Sequence, residues 1–200
     1  MLIVQCDFDD TITIGNVSTA IRTALFTNNK WRQIEEKYLL GECSVEESNR
    51  EQFSVMKTTE KDIEDFVLKN VVIREGFKNF VGFCQKTNIR FVIVSSGLDL
   101  YIYPLIKKLS LGKIEVYSAK SMMTPLGINI EYTDPHGNPI SNGFKDSFVR
   151  HFKSSVLTSQ QALLPILDIS GVRDDESVVR KHNINKRGET SVLTPEQHAI

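Results

Sequence analysis

The chain has 200 residues, of which 40% are hydrophobic and 24% are charged, a composition typical of one globular domain or of one domain with a small insertion. A wholly disordered, collagen-like or disulfide-scaffold chain is thereby excluded. The 24 basic and 25 acidic residues leave a net charge of −1, so no bulk field attracts nucleic acid or anionic lipid, and we expect neither as a partner.

The first predicted element is a short buried strand. Residues 2–6 form an apolar run interrupted by Gln5, and the run stops abruptly at the segment Asp7-Phe8-Asp9-Asp10-Thr11. A buried strand that ends at a polar turn is the simplest interpretation of this pattern.

Residues 16–70 have helical character throughout, and we predict three or four short helices there. Two pairs at capping-box spacing mark helix starts, namely Ser44 with Glu47 and Thr59 with Asp62. One stripe at helical spacing is predicted to face the interior: Val17, Ala20, Ile21, Ala24 and Leu25. Four aromatic residues are predicted to form the core of this block, with one or two lining its inner face: Trp31, Tyr38, Phe53 and Phe66.

Strands and helices alternate along the rest of the chain. The patterns predict a helix over 76–86, a strand over 91–94, a helix over 101–109, a strand over 113–117, a β excursion over 128–132, a helix over 146–152 and a strand within 162–169. The strand over 91–94 is predicted to stop at Ser95-Ser96-Gly97, and Pro104 is placed in the first turn of the helix that follows. This alternation predicts an α/β fold with a doubly wound parallel sheet, in which ligands bind beyond the carboxyl ends of the strands.

Several polar groups are predicted to meet at those strand ends. In extended chain Asp7 and Asp9 point the same way, and two close carboxylates need a cation between them, for which Mg²⁺ is the natural choice. The Ser95 hydroxyl and the backbone amides of Ser96 and Gly97 would bind an anion, and Lys145 would add a positive charge. Together these groups suit phosphoryl transfer through an aspartyl-phosphate intermediate.

Each of these features is also compatible with a purely structural role. An Asp-x-Asp pair after a strand is common turn or cap chemistry, and Ser95-Ser96-Gly97 could cap the next helix. Lys145 alone is typical of a solvated side chain. The joint occurrence of the features, each at the end of a suitable element, is what favours a site.

Three motifs of this chain resemble those of the haloacid dehalogenase-like phosphatase superfamily. Residues 7–13 look like its first motif, D-x-D-x-T, residues 92–97 resemble its second motif, and Lys145 resembles its third. Residues 16–70 are similar to the helical cap of the phosphoserine phosphatase-like subgroup. Segments 73–77 and 98–105 look similar to the 2-hydroxy-3-keto-5-methylthiopentenyl-1-phosphate phosphatase branch, and the resemblance covers residues 1–152.

The resemblance implies a role for each of these residues. Asp7 would be the nucleophile, and Asp9 would protonate the leaving oxygen and then deprotonate water. Ser95 and Lys145 would hold the phosphate, and Mg²⁺ would bind the Asp7 carboxylate and the Asp9 backbone carbonyl. The core would comprise residues 1–15 and 71–200, with 16–70 as a cap that closes over the site and selects the substrate.

The superfamily's fourth motif, G-D-G-x-x-D, is altered here. In the gapless match 169–174, Ile169 and Ser170 replace the first Gly and the first Asp, whereas Gly171 and Asp174 fit. We assign Asp174 as the last metal carboxylate, with Asp168 as the alternative, and the chain after about residue 170 is atypical of the core. The altered motif is equally compatible with a crippled enzyme and with a protein that has lost catalysis but still binds phosphate.

The sequence therefore predicts a Mg²⁺-dependent phosphatase that acts on a small phosphate ester. Segment 14–18 contains no acidic residue for a substrate amine, so a neutral sugar-like or keto phosphate is favoured over phosphoserine. The alternatives are a non-catalytic protein that binds a phosphorylated metabolite and a helical interaction module with an incidental Asp-x-Asp pair.

The location predicted from the sequence is the cytoplasm. Three scattered cysteines without a Cys-x-x-Cys pair are typical of reduced thiols: Cys6, Cys43 and Cys84. The first residues lack the basic leader of a signal peptide, and no apolar run approaches the roughly 18 residues that span a membrane.

Overall fold

A computed structural model describes residues 2–26, 30–158 and 167–169 of the chain. In chain order its elements are β1 (Ile3–Cys6), α1 (Val17–Leu25), α2 (Lys30–Leu39), α3 (Val45–Ser54), α4 (Glu60–Asn70), α5 (Phe77–Lys86), β2 (Arg90–Leu98), α6 (Asp99–Leu109), β3 (Glu115–Met123), β4 (Ile128–Glu131), α7 (Phe144–Thr158) and β5 (Leu167–Ile169). Of the predicted fourth motif, only Ile169 lies within the described residues, so Asp174 is outside them.

The five strands form one sheet in the order β4-β3-β2-β1-β5. β1 lies in parallel register between β2 and β5, and β3 continues the parallel arrangement on the other side of β2. The edge strand β4 pairs antiparallel with β3. The predicted α/β class with a doubly wound, Rossmann-like sheet is confirmed, with one antiparallel strand added at its edge.

The central strands are buried because both faces of the sheet are covered. All four residues of β1 and all but the first of β2 are buried, as continuous apolar runs in parallel sheets require. The Phe8 side chain, just after β1, is fully buried in the same core as Phe144 and Phe152 of α7. This packing holds the carboxyl ends of β1 and β2 against the start of α7.

The described residues of the block 16–70 form four helices, where three or four were predicted. Both capping boxes are present, and the Ser44 and Thr59 hydroxyls accept the backbone N–H groups of Glu47 and Asp62. Of the four aromatic residues, Trp31 and Phe53 are buried, whereas Tyr38 and Phe66 are half-buried. The division into a core of 1–15 and 71–200 and a cap of 16–70 stays a prediction.

The predicted buried face of α1 is wrong in part. Ala20 and Ala24 are exposed, and the buried face instead includes Ser18 and Arg22 beside Val17 and Ile21. Hydrophobic periodicity favoured the face with the alanines. The face that is actually buried covers a polar cleft, where Ser18 and Arg22 have hydrogen-bond partners.

The predicted end of β2 is also wrong. The strand does not stop at Ser95 but continues to Leu98, and α6 begins directly afterwards at Asp99. The register between β2 and β3 shifts between Val94 and Leu98, which lets the polar segment stay extended and buried. Because α6 starts two residues earlier than predicted, Pro104 lies in its second turn rather than its first.

The remaining boundaries differ from the predictions by a few residues. β3 is longer than predicted and starts at Glu115, α7 starts at Phe144, and β5 covers Leu167–Ile169 of the described residues. Within the described part of the chain, no helix combines the length and hydrophobicity needed to cross a bilayer.

Candidate active site

The structure brings the predicted catalytic and phosphate-binding residues together in one cleft. This cleft lies at the carboxyl ends of β1 and β2. Its lining includes Asp7, Asp9, Ser95, Ser96, Gly97 and Lys145. Of the two candidates for the last metal carboxylate, Asp168 lies in β5, whereas Asp174 is outside the described residues.

Asp7 is buried in the cleft and holds two hydrogen bonds through its carboxylate. Its Oδ1 accepts the backbone N–H of Phe8 at 2.8 Å, and its Oδ2 accepts Lys145 Nζ at 2.8 Å. The Asp7 side chain is 2% exposed and that of Lys145 is 10% exposed. Since an isolated buried charge is costly, this contact offsets the desolvation of both groups.

Both carboxylate oxygens of Asp9 are held by donors. Oδ1 accepts the backbone N–H of Val17, the first residue of α1, at 2.8 Å. Oδ2 accepts the Tyr101 hydroxyl at 2.5 Å, and the Tyr101 oxygen lies 2.9 Å from the Ser18 hydroxyl. A helix N-terminus favours a carboxylate through its unpaired amides and its dipole.

Tyr101 acts as a neutral donor in this group. Burial, and then the nearby charge of Asp9, raise the pKa of the Tyr101 phenol well above its ordinary value. The phenol therefore keeps its proton across the physiological pH range.

The segment Ser95-Ser96-Gly97 has a geometry that differs from the prediction. The Gly97 amide donates to Ser95 Oγ at 3.0 Å, so it is already bound within the protein, and the segment is strand rather than a turn at a helix start. This bond leaves the hydrogen of the Ser95 hydroxyl available to another acceptor. Ser96 Oγ is buried and has no hydrogen-bond partner among the described residues.

The cleft also contains polar residues that the sequence pattern did not reveal. Arg22 Nη2 of α1 donates to Glu35 Oε2 of α2 at 3.0 Å, and both side chains line the cleft together with Ser18 and Asn49. Glu35 of the helical block therefore brings an acidic side chain to the cleft, although segment 14–18 has none. The spacing of Ser18 and Arg22 at i and i+4 was the available signal, because it marks a polar face on a helix.

The donor set at the end of β1 fits a hard divalent cation. Asp7 and Asp9 offer carboxylate and carbonyl oxygens within a buried polar cleft, and these are the ligands that Mg²⁺ prefers. The described residues include no group of three metal-binding side chains. β5 lies beside β1, with Asp168 level with Gln5 and Ile169 level with Cys6.

Comparisons with known proteins agree with this geometry. Residues 4–129 match a family model described as haloacid dehalogenase-like hydrolase. The 2-hydroxy-3-keto-5-methylthiopentenyl-1-phosphate phosphatase of Bacillus pumilus is 30% identical over 142 residues, which are 70% of this chain and 61% of that protein. The enzyme of that name from Brevibacillus brevis is 25% identical over 94% of this chain and 86% of that protein. The chain thus spans less than two thirds of the Bacillus pumilus protein.

Solved structures show the same fold at low sequence identity. A phospho-aspartyl intermediate analogue of phosphoserine phosphatase aligns with a TM-score of 0.58 at 15% identity, over 78% of this chain and 72% of that one. A hydrolase from Salmonella enterica serovar Typhi aligns with a TM-score of 0.63 at 15% identity, over 83% of this chain and 54% of that one. At this identity the similarity concerns the fold alone.

Proposed function

The chain belongs to the haloacid dehalogenase-like hydrolase family, and we propose that it is a Mg²⁺-dependent phosphatase that hydrolyses a small phosphate ester through an aspartyl-phosphate intermediate. One observation carries the proposal. The nucleophile candidate Asp7, the acid–base candidate Asp9 and the phosphate-binding candidates Ser95 and Lys145 all line one polar cleft, although they come from distant parts of the chain.

In the first step the Asp7 carboxylate would attack phosphorus, forming an O–P bond as the bond to the leaving oxygen breaks. Asp9 would give its proton to that leaving oxygen, so the organic part departs as a neutral alcohol. Lys145 and the Ser95 hydroxyl would bind the phosphoryl oxygens. The positive charge of Lys145 and the hydrogen bond donated by Ser95 would stabilise the negative charge that develops there.

In the second step water would cleave the aspartyl phosphate. Asp9, now ionised, would take a proton from the water as its oxygen attacks phosphorus, which releases inorganic phosphate and restores the Asp7 carboxylate. The same residue then carries the proton needed for the next cycle. This double use requires that Asp9 be held in one place throughout.

The Asp7 carboxylate and the Asp9 backbone carbonyl would hold Mg²⁺, with Asp174 or Asp168 as a further ligand. When bound, the ion would neutralise charge between the Asp7 carboxylate and the phosphate. The helical block 16–70, acting as the cap, would exclude water and select the substrate.

For the substrate we propose a phosphate ester with a neutral, hydrogen-bonding organic part. Glu35 is paired with Arg22, so these two residues together bring no net charge to the cleft. The names of the two bacterial relatives describe a hydroxy-keto phosphate, which has this character. The cytoplasm stays the predicted location.

Hydrolysis of p-nitrophenyl phosphate in the presence of Mg²⁺ tests the proposal. We expect turnover by the wild-type chain and a loss of at least about 1,000-fold for Asp7→Asn, because the amide cannot act as the nucleophile. Asp10→Asn is the matched control, since Asp10 is an exposed acid three residues away that does not line the cleft. We expect that variant to keep its activity.

Equal inactivity of wild type and Asp7→Asn would contradict the enzyme proposal. Binding of vanadate, measured by calorimetry on the same samples, then distinguishes the alternatives. Retained binding would support a non-catalytic protein that binds phosphorylated metabolites, whereas absence of both binding and turnover would support neither function.

A further inference from the structure

We propose that Tyr101 is a positioning residue whose hydroxyl, supported by Ser18, fixes the Asp9 carboxylate for proton transfer to and from the reacting groups. This inference rests on the proposed phosphatase function. Its basis is the buried contact of three side chains from separate elements: Asp9 after β1, Ser18 in α1 and Tyr101 in α6.

The direction of these hydrogen bonds follows from the available hydrogens. A phenol has one hydrogen, and that of Tyr101 goes to Asp9 Oδ2 at 2.5 Å. The Ser18 hydroxyl, 2.9 Å from the Tyr101 oxygen, must then be the donor in their contact. A chain of two hydroxyls thus ends at one Asp9 oxygen, while the Val17 amide binds the other oxygen.

With a donor on each oxygen, rotation of the Asp9 carboxylate about its side-chain bonds is restrained. Loss of the Tyr101 hydroxyl would remove the donor to Asp9 Oδ2, while the Val17 amide would still bind Oδ1. Acid–base catalysis depends on such restraint, because the group has to reach the proton acceptor at hydrogen-bond distance, and small misplacements are costly.

The surroundings of Tyr101 separate the role of its hydroxyl from that of its ring. Its side chain is fully buried, and its ring packs against Phe8 with 6.2 Å between ring centroids. Phenylalanine would keep that packing and lose the hydroxyl alone. Gly97 leaves the space that the hydroxyl occupies, since a Cβ there would lie 2.1 Å from the Tyr101 oxygen.

The test compares two substrates whose leaving groups differ in their need for a proton. p-Nitrophenolate leaves without protonation, whereas the alkoxide of glycerol 2-phosphate needs a proton from Asp9 as the bond breaks. For Tyr101→Phe we expect kcat/KM for glycerol 2-phosphate to fall by about 10- to 100-fold relative to wild type, a share of the usual contribution of acid–base catalysis. We expect kcat/KM for p-nitrophenyl phosphate to fall less than threefold, and KM for both substrates to stay near the wild-type value.

Tyr103→Phe is the matched control, because Tyr103 lies on the same helix and is 52% exposed. We expect it to behave as wild type with both substrates. Ser18→Ala provides a second variant, since it removes the donor to the Tyr101 oxygen and leaves the phenol in place. We expect it to shift the ratio of the two kcat/KM values in the same direction, by a smaller factor.

Three outcomes would overturn the inference, and the failure of the inference can be told apart from that of the proposed function. Equal losses on both substrates for folded Tyr101→Phe, or no loss on either, would show that the hydroxyl does not position the proton-transferring group. If the wild-type chain hydrolysed neither of the two substrates, the proposed function would be refuted, and the inference with it. Circular dichroism and thermal melts check that the variants are folded.

Discussion

At the scale of single residues, Gly97 is a position in the cleft where a side chain has no room. A Cβ built there would lie 2.1 Å from the Tyr101 oxygen and 2.8 Å from Asp9 Oδ2, so these side chains would have to move. The backbone of Gly97 is ordinary strand, and its requirement for glycine comes from this close approach alone.

We predict that Gly97→Ala lowers kcat/KM for a phosphate ester by about 100-fold, because a shift near 1 Å in a catalytic group has that effect. The free energy of unfolding should decrease by about 1–3 kcal/mol, as expected for overpacking. Steady-state kinetics and urea unfolding measure the two effects.

Gly82→Ala is the control for this variant. Gly82 lies inside α5, and a Cβ there meets nothing within 4 Å. Alanine should raise the free energy of unfolding by about 0.5–1 kcal/mol through its higher helix propensity, with unchanged kinetics. Wild-type kcat/KM in Gly97→Ala would show that catalysis does not depend on the close approach of Gly97 to Tyr101 and Asp9.

The sequence identified only the part of the candidate site that carries a strong local pattern. Asp7, Asp9 and Ser95 were predicted to share a site because they follow apolar strands, and the structure places them in one cleft. Arg22 and Tyr101 were missed, since both are buried polar groups that hydrophobic periodicity does not identify. Helix periodicity indicates which face is buried, but it cannot show that a buried face needs hydrogen-bond partners.

At the scale of elements, α3 connects the helical block to the sheet. Glu46 Oε1 accepts the backbone N–H of Phe144 at the start of α7, and Asn49 donates to the Ser96 carbonyl at 3.0 Å. Arg50 donates to the backbone carbonyls of Ile140 and Ser141. One helix thus contacts the segment after β4, the start of α7 and the polar end of β2.

The Glu46 contact gives a prediction about stability. Glu46 is buried, so Glu46→Ala leaves the Phe144 amide without its acceptor, and we expect the free energy of unfolding to fall by about 1–3 kcal/mol. Glu46→Gln keeps an acceptor oxygen and should lose less. Urea unfolding of both variants, with the exposed Glu51→Ala as control, measures the difference.

If Glu46→Ala were as stable as Glu51→Ala, the bond to the start of α7 would contribute nothing to the position of α3. A loss confined to Glu46→Ala would show that this buried acceptor stabilises the contact between α3 and α7.

Most elements could be predicted because their signals are local. The capping boxes at Ser44 and Thr59 marked two helix starts, and the apolar runs marked β1 and β2. The end of β2 was misplaced because serine and glycine are typical of turns, whereas here they stay extended between Val94 and Leu98, which both pair with β3. Strand length depends on such a partner, which the local sequence does not identify.

At the scale of the whole molecule, the sheet order explains why distant residues meet. β1 lies between β2 and β5 and pairs with both in parallel, so the carboxyl ends of these three strands lie at the same edge. The alternation of strands and helices predicted this edge as the ligand site. It could not predict which carboxylate would serve as the further ligand of the proposed metal site, since the altered fourth motif has acids on both sides of the expected position.

We propose that Asp174 rather than Asp168 is the further metal carboxylate, and the register of β5 supports this. Asp168 lies level with Gln5, within the sheet and two residues before Asp7, whereas Ile169 lies beside Cys6, the last residue of β1. A ligand that approaches the Asp7 carboxylate is therefore expected from residues after the strand. We predict that Asp174→Asn raises the Mg²⁺ concentration needed for half-maximal activity by at least about tenfold, because loss of one carboxylate ligand weakens binding of a hard cation.

Calorimetric titration with Mg²⁺ measures binding separately from turnover. It should show the same weakening for Asp174→Asn and little change for Asp168→Asn, which serves as the matched variant. The reverse result would assign the ligand to Asp168 and refute the argument from register. Wild-type affinity in both variants would mean that Mg²⁺ is held without either acid, and the resemblance at 169–174 would then have no bearing on the metal.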